Sequence, residues 1–537
     1  VLKLRIDPAG LGTSWAWNPG RGRMESGASW IQPLDHPAVD CTAVADPDSG
    51  ATLIWIREVL PGHNSRRRRV ERQRRTTGYR HARATALTWP LDFTAIEITP
   101  DRTVHLMTGE RGTAPVYLSA AAGVLHGSWN MADVMPHVRS VAYDVPETAR
   151  LLALWFRYSR RTCFRDVYRV TERATATFDG GHRISFAVPE PASHSHPRTL
   201  ADDADVLGAY QRMLDGVLAR HTIDPATTCA HVSGGVDSAV TGTHIAMRYP
   251  EQITASAMLL PGAGGHQQRA RRAEMIRRAR FSHDITTEAN CRPPLHPSGQ
   301  RARGWFINPY EEPFHEATAT LINTMSARGI RTVVTGIGGD EMVALTPSEA
   351  PREAVGPGHT ATPWLGRAAR NALADADWDT APPTVVNEMT LLALASAAPL
   401  LLDAGIWPLH PFADPDMIRF GEWLPYQWRA HKVLHRRRLA ALGMPPHVVH
   451  PALPENFTPV MQQAVTTTIA DHLARILADG SPLIESELVD PDTLTRALNR
   501  IRDGEVHDTD DRLADVIAAD LAFHAANSPA PLENTCT

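Results

Sequence analysis

Ser233-Gly234-Gly235-Val236-Asp237-Ser238 is the stretch whose reading decides the fold. It follows the apolar run Thr228-Cys229-Ala230-His231-Val232 and leads into a helical pattern through Val240 and Ile245, which reads as strand, glycine-tight turn and helix start. Two adjacent glycines let the backbone pass close to a phosphate, and successive amide N–H groups with the helix N-terminus make an anion cradle. Ser233 and Ser238 add hydroxyl donors, and Asp237 suits a magnesium ion that neutralises the phosphates. A turn that merely caps a helix would share this composition, but six such residues in this order are rare by chance.

Upstream, Val206, Leu207, Tyr210, Met213, Leu214, Val217 and Leu218 fall on one helical face that feeds into this strand. Downstream, residues 253–260, 283–286 and 331–335 read as further strands with helical stretches between them. Strand and helix alternate, which implies a parallel α/β sheet with ligands at the strand C-termini. The last of these strands, Thr332-Val333-Val334-Thr335, runs into Gly336-Ile337-Gly338-Gly339-Asp340-Glu341. Asp340 is expected at the C-terminal end of its strand, level with Asp237 across the sheet, where two carboxylates can share one magnesium ion. Alone, an acidic glycine loop is more often a structural turn; paired with the first motif, each after a strand, it is a strong signal.

Residues 187–197, with Pro189, Pro191 and Pro197 and no periodicity, read as an exposed linker. They divide the chain into an N-terminal domain, residues 1–195, and a second domain, residues 196–537. The first reads as β-rich, with strands around Thr52-Leu53-Ile54-Trp55-Ile56, Ala95-Ile96-Glu97-Ile98 and Thr103-Val104-His105-Leu106-Met107. Between the first two stands Arg66-Arg67-Arg68-Arg69, continued by Arg72, Arg74, Arg75, Arg80 and Arg83; without interleaved aromatics it reads as a solvated loop rather than a phosphate-binding face. Residues 144–158 read as a helix with Asp144 as N-cap and Leu151, Leu152, Leu154 and Trp155 in its second half. Residues 391–402 read as a buried helix, and Leu513, Val516, Ile517 and Leu521 as a docking helix.

The 537 residues are enough for two or more domains with ample core. With 43% hydrophobic and 21% charged residues and a formal net charge of -5, the composition is that of a soluble globular protein with no global pull toward nucleic acid or acidic membranes. Cys41, Cys163, Cys229, Cys291 and Cys536 are odd in number and free of any C-x-x-C pair, which argues against a disulfide framework or zinc site and suits a reducing cytoplasm. No apolar run is long enough for a signal peptide or a membrane span.

The two motifs together carry a family resemblance. The Ser233–Ser238 loop resembles the pyrophosphate loop of the ATP-pyrophosphatase superfamily, and its pairing with Gly336–Glu341 resembles the class B asparagine synthetase branch. That branch joins an N-terminal glutaminase-type (Ntn) domain to a synthetase domain with a PP-loop parallel sheet. Arg111-Gly112-Thr113-Ala114-Pro115-Val116-Tyr117-Leu118 is similar to the first domain; Asn308-Pro309-Tyr310-Glu311-Glu312-Pro313, Asn387-Glu388-Met389 and His410-Pro411-Phe412-Ala413-Asp414 are similar to the second. Lys432, one of two lysines in the chain and the only one after Lys3, falls where these enzymes have a lysine before a helix.

Departures from the family pattern narrow the expectation. Glutamine-hydrolysing members use an N-terminal cysteine thiol, whereas this sequence starts Val1-Leu2-Lys3 and its earliest cysteine is Cys41, so the first domain is expected to be catalytically inactive. β-Lactam synthetases, carbapenam synthetases and lasso-peptide cyclases share that loss and use an amine already on the substrate. Ile337 stands where asparagine synthetases have glutamate and the β-lactam type has a proton-removing tyrosine; isoleucine can replace neither. Glu388 matches the glutamate that orients that tyrosine. The family lysine before a late glycine-phenylalanine segment is not visible in His450-Pro451-Ala452-Leu453-Pro454-Glu455-Asn456-Phe457. The run from Leu260-Pro261-Gly262-Ala263-Gly264-Gly265-His266-Gln267-Gln268 to Arg272 and the second glycine loop both resemble the lasso-cyclase branch.

The resemblance implies that an Asp or Glu side chain of a linear precursor core peptide attacks the α-phosphate of ATP, pyrophosphate leaves, and the peptide's α-amine closes a macrolactam and releases AMP. Ser233, Gly234, Gly235, Val236 and Ser238 would hold the leaving group, Asp237 and Asp340 a magnesium ion, and Leu259, Thr335 and Gly336 the nucleotide. Glu388, Glu341 or Glu312 would receive the amine proton, and Lys432 or Arg436 would stabilise developing charge. Residues 290–304 and 346–363 are expected as lids over a peptide pocket or as disordered loops. A leader-recognition protein and a leader peptidase are the expected partners, with no nucleic acid and no membrane. Rival readings are a β-lactam-type synthetase, a PP-loop enzyme modifying transfer RNA, and a non-catalytic scaffold.

Overall fold

The computed structural model describes residues 1–12, 14–62, 69–72, 76–153, 157–349, 362–374 and 380–528, with the backbone alone for residues 69–72, 76 and 77. Its N-terminal region is antiparallel and β-rich. One seven-stranded sheet runs from Tyr168–Arg169 through Tyr117–Ala121, Val124–Ser128, Leu2–Ile6, Ser29–Pro33 and Arg23–Ser26 to Ala16–Asn18. A second runs from Ser185–Ala187 through Thr175–Phe178, Val104–Thr108, Phe93–Ile98, Thr52–Glu58 and Val39–Ala45 to Arg69–Arg72. Strands such as Leu2–Ile6 alternate buried and half-buried residues, the period-two signature of a sheet with one face on a core. Leu2, Leu4 and Ile31 from the first sheet share that core with Cys41, Ile54, Ile56 and Ile96 from the second.

The second region is built on a five-stranded, all-parallel sheet in the order His283–Glu288, Thr254–Leu259, Thr228–His231, Thr332–Val334, Trp407–Leu409. Chain order runs outward in one direction from Thr228–His231 and then returns to its other side. The strand order therefore reverses between Thr228–His231 and Thr332–Val334, and ligands of open parallel sheets bind outside the strand C-termini at such a point. Both glycine motifs leave the sheet there. Helix Val206–Ala219 buries Val206, Tyr210, Leu214, Val217 and Leu218, each contributing about 1.5–3 kcal/mol by burial. Trp407–Leu409 had no legible strand signal: three residues around Pro408 suit only an edge strand.

Three expectations need correction. The helix read over residues 144–158 spans Val145–Leu152; Asp144 caps it, accepting from the Glu147 amide at 3.3 Å, but Tyr158 lies outside it and bonds the second region, accepting from Ala381 N–H at 2.7 Å. Leu154 and Trp155 lie outside the described residues. The 187–197 linker is mostly exposed and irregular, as read, and two bonds tether it: the Ala192 amide donates to Pro383 C=O at 2.7 Å, and the Ser195 amide donates to Glu422 at 2.7 Å. In the arginine block, Arg69–Arg72 is an edge strand parallel to Val39–Ala45, a place where charge blunts edge-to-edge association. Arg80 and Arg83 ride helix Thr76–Leu87, with Arg83 paired to Glu97 at 2.9 Å, while Arg66, Arg67, Arg68, Arg74 and Arg75 lie outside the described residues. Residues 290–304 are anchored, since Pro294 C=O accepts from Thr468 at 2.7 Å and Leu295 is buried. Of residues 346–363, positions 350–361 lie outside the described residues.

Candidate nucleotide and acyl-transfer site

The Ser233–Ser238 turn is held from within and from behind. Ser238 Oγ accepts from the Ser233 amide at 3.1 Å and lies 3.0 Å from Ser233 Oγ, and Ser233 Oγ accepts from the Gly235 amide at 3.2 Å. Gly234 has φ +107, which only glycine adopts readily. Helix Val236–Arg248 starts at Gly235, and its first intrahelical bond is Ala239 N–H to Gly235 C=O at 3.1 Å. The amides of Val236, Asp237 and Ser238 precede that bond and have no carbonyl partner within the helix, the anion-attracting end of a helix. Behind the turn, the buried amide of Gln268 donates to the carbonyls of Ser233 and Met258 and accepts from the Leu260 amide at 2.8 Å. Leu259, buried at the end of its strand, borders the same edge.

Gly336–Glu341 packs directly onto this turn. A Cβ on Gly336 would stand 2.5 Å from the Ser238 amide nitrogen, and one on Gly339 would stand 2.6 Å from Asp237 Cβ; the two loops approach as closely as they do because both positions lack a side chain. Thr335 Oγ1 bonds His410 Nδ1 at 2.7 Å and accepts from the Ile337 amide at 3.3 Å. Burial holds the His410 imidazole neutral, with its pKa down at about 3. Ile337 itself packs beside Tyr158, Val386 and Leu391 in an apolar wall.

Asp237 and Asp340 converge, as their positions in the sequence imply, and Lys432 lies between them. Lys432 Nζ is 2.6 Å from Asp237 Oδ2 and 2.6 Å from Asp340 Oδ1. Partial burial pulls the ammonium pKa down, but the two carboxylates outweigh it and hold the pKa above its ordinary value. His431 and Lys432 both have positive φ, +52 and +56, a strained pair of non-glycine residues that aims the lysine from the start of helix Val433–Ala441. Beneath Asp237, His435 bonds the Tyr210 hydroxyl at 2.8 Å and Gly339 C=O at 3.2 Å; burial depresses its pKa, so the ring is neutral.

Lys432 Nζ stands where the two carboxylates meet, so the Asp237 and Asp340 pair would fit a magnesium ion once the ammonium moves aside. Asp237 Oδ1 is buried without a hydrogen-bond partner, an oxygen that a cation would satisfy. Two carboxylates leave the remaining octahedral positions to water and phosphate oxygens, the usual arrangement for magnesium. Among the described residues no cluster of three or more His, Cys, Asp and Glu side chains forms a metal cage.

Beside this pair lies a cavity of about 460 Å³ whose walls include Arg157, Tyr158, Glu341, Glu388, His194 and Glu422. Glu388 stands in the first turn of helix Glu388–Asp403, capped by Asn387, and accepts from the Tyr158 amide at 3.4 Å. Glu341 follows Asp340 in the second glycine loop. His194 and Glu422 were not legible as site residues; the tethered linker brings them in, with Nδ1 2.5 Å from Glu422 and Nε2 2.9 Å from Thr384 C=O.

Glu312 stands apart from this constellation. It turns back on its own loop, accepting from the Phe314 amide at 3.3 Å, and burial raises its pKa. Among the described residues no hydrogen bond or ion pair joins it to the cradle, Asp340 or Lys432. Arg436 donates to Val449 C=O at 2.6 Å and to His431 C=O at 2.9 Å, so it braces the lysine's helix. Asp414, part of the His410–Asp414 run, caps a helix and pairs with Arg111 at 2.6 Å and Arg220 at 2.7 Å. Gln268 and Glu455 contact the cradle, a role the sequence does not assign to either, because it depends on their meeting each other and Ser233 across the fold.

No protein-family model matches this chain, and no curated protein matches it.

Proposed function

We propose that this chain is an AMP-forming, ATP-dependent cyclase that closes a macrolactam in a linear precursor core peptide, the reaction of lasso-peptide biosynthesis. On this reading the N-terminal region is a glutaminase-type fold, and residues 196–537 are a PP-loop synthetase domain. The observation that carries it is the meeting of Asp237 and Asp340 on Lys432 beside an anion cradle at the reversal point of a parallel sheet. Ile337, half-buried against apolar groups and offering no proton acceptor, favours this reading over the β-lactam type.

ATP is a substrate in this scheme. The peptide's carboxylate oxygen bonds to the α-phosphorus, the bond to the bridging oxygen breaks, and pyrophosphate leaves. The amide N–H groups of Gly234, Gly235 and Val236 and the hydroxyls of Ser233 and Ser238 hold that departing charge. Thr335, Gly336 and Leu259 border the nucleotide. Magnesium, held by Asp237 and Asp340, would neutralise phosphate charge when bound. Lys432 keeps a positive charge beside the same oxygens. The α-amine nitrogen then bonds to the activated carbonyl carbon, the carbon–oxygen bond to AMP breaks, and Glu388 or Glu341, both facing the cavity, takes the amine proton. Because amine and carbonyl belong to one peptide, holding them in contact supplies much of the rate.

Four described cysteines, Cys41, Cys163, Cys229 and Cys291, are free thiols, and among the described residues no helix is long and apolar enough to cross a membrane. A cytoplasmic setting, with a leader-recognition protein and a leader peptidase as partners, belongs to the same proposal. The test is incubation of the full chain with ATP, magnesium and a candidate core peptide. A product lighter by one water, resistant to protease and formed with one AMP per ring, is the expected outcome; turnover of small β-amino acids alone would overturn it.

A further inference from the structure

The cradle already faces an anion, and it comes from this chain. Glu455 lies in the irregular segment between helices Pro446–Val449 and Thr458–Ala464. Its Oε2 accepts from Ser233 Oγ at 3.1 Å and stands 3.0 Å from where a side chain on Gly235 would begin. Its Oε1 accepts from Gln268 Nε2 at 3.0 Å. Two residues earlier, Leu453 is tied at both its amide and its carbonyl to the Gln267 side chain, at 2.9 and 2.8 Å. The segment is thus a strap fastened to one helix, with a carboxylate laid over the turn. Although the residue as a whole is exposed, its carboxyl end is desolvated enough to lift its pKa, against the opposing pulls of Ser233, Arg271 and Gln268.

We infer that Glu455 is an internal surrogate for phosphate, occupying the cradle when no nucleotide is bound and exchanging with the diphosphate portion of substrate and product. The inference rests on the nucleotide reading above. A carboxylate and a phosphate draw on the same donors, Ser233 Oγ and the Gly235 turn, and two anions cannot share that space without strong repulsion. Phosphates entering the cradle therefore displace Glu455, while the Gln267 tether keeps the strap close. Pyrophosphate leaving the cradle is replaced by Glu455 rather than by bare solvent. The surrogate lowers the apparent affinity for free pyrophosphate by the fraction of time the cradle is open, which favours product release.

The test is equilibrium titration of magnesium-ATP and of inorganic pyrophosphate into the full chain and its Glu455→Gln and Glu455→Asp variants. Gln keeps the size and the Gln268 contact without the charge; Asp keeps the charge but is one methylene shorter. Both variants should bind pyrophosphate tighter, by roughly three- to tenfold for a cradle filled about two-thirds to nine-tenths of the time. Tightening in the Gln variant with none in the Asp variant would mean that the charge acts through its field alone and would overturn the occupancy. Unchanged or weaker binding in both would overturn it as well. A wild-type chain that binds neither ligand removes the nucleotide reading, and the inference with it.

Discussion

Gly336 shows how closely function here depends on single positions. Its missing side chain lets the second glycine loop rest against the Ser238 amide. Gly336→Ala should cost about 1–3 kcal/mol through backbone displacement and reduce ATP-dependent pyrophosphate release; a urea midpoint and a pyrophosphate assay both at wild-type values would show that the loops do not touch. Asp237→Ala should reduce pyrophosphate release by a factor on the order of a hundred or more, the scale of losing a group that stabilises transition-state charge; unchanged turnover would remove this site. Lys432 has a raised pKa, so the stability its ammonium contributes is complete below its ordinary pKa of 10.5 and is lost only as pH rises through the higher folded value. Its titration should therefore leave no inflection in a pH–rate profile between pH 6 and 9. The residues of both glycine loops were legible because glycine, serine and aspartate in that order have few other uses.

Among the elements, residues 380–385 and the start of helix Glu388–Asp403 wall the cavity, and the tethered linker adds His194. Asn387 caps that helix, accepting from the Met389 amide at 2.9 Å. Asn387→Ala should cost about 1 kcal/mol and, by letting the first turn fray under Glu388, lower kcat more than it raises KM for ATP; a thermal shift with unaltered kcat would confine Asn387 to a structural role. Helix Val206–Ala219 was legible from its apolar spacing. The tethering of the linker was not, because prolines and short polar residues carry no period, and it comes from Pro383, Glu422 and Trp423, roughly two hundred positions later. The same distance hid the end of helix Val145–Leu152, since Tyr158 bonds Ala381 and Glu388 in the second region.

At the scale of the whole molecule, one apolar core runs from Leu2 and Ile54 in the β-rich region to Val240 and Leu434 beneath the parallel sheet. A second joins Leu151 and Phe164 to the C-terminal helix through Val516 and Ile517. The two regions are thus packed as one body, with Asp403 clamped by Trp129 and Asn130 at 3.2 and 2.6 Å. Burial holds His36, His126, His231 and His472 at pKa values of about 4 and His410 at about 3. An unfolded chain takes up these protons near pH 6.5 while the folded one does not, so stability is full above 6.5 and falls as pH drops toward 4. Asp92 and Asp515, whose desolvated carboxyls are pushed up to about 7, oppose this over the same range, so the histidine share is read in a single variant. Relative to its value at pH 7.5, the urea midpoint at pH 5 should be higher in His231→Gln than in the parent chain, and no difference would show that the His231 ring is solvated.

By itself the sequence determined the parallel α/β sheet, the two glycine loops at its strand ends and the carboxylates Asp237 and Asp340. Each is written in short-range pattern: period, glycine placement and the order of residues within a turn. Only the tertiary structure decided that Lys432 bridges those carboxylates, that Glu312 stands away from them, that His194 of the proline-rich linker reaches the cavity, and that Glu455 lies over the Ser233–Ser238 turn. Those arrangements depend on contacts between residues some 100 to 230 positions apart, and nothing in the local sequence of either partner specifies the other.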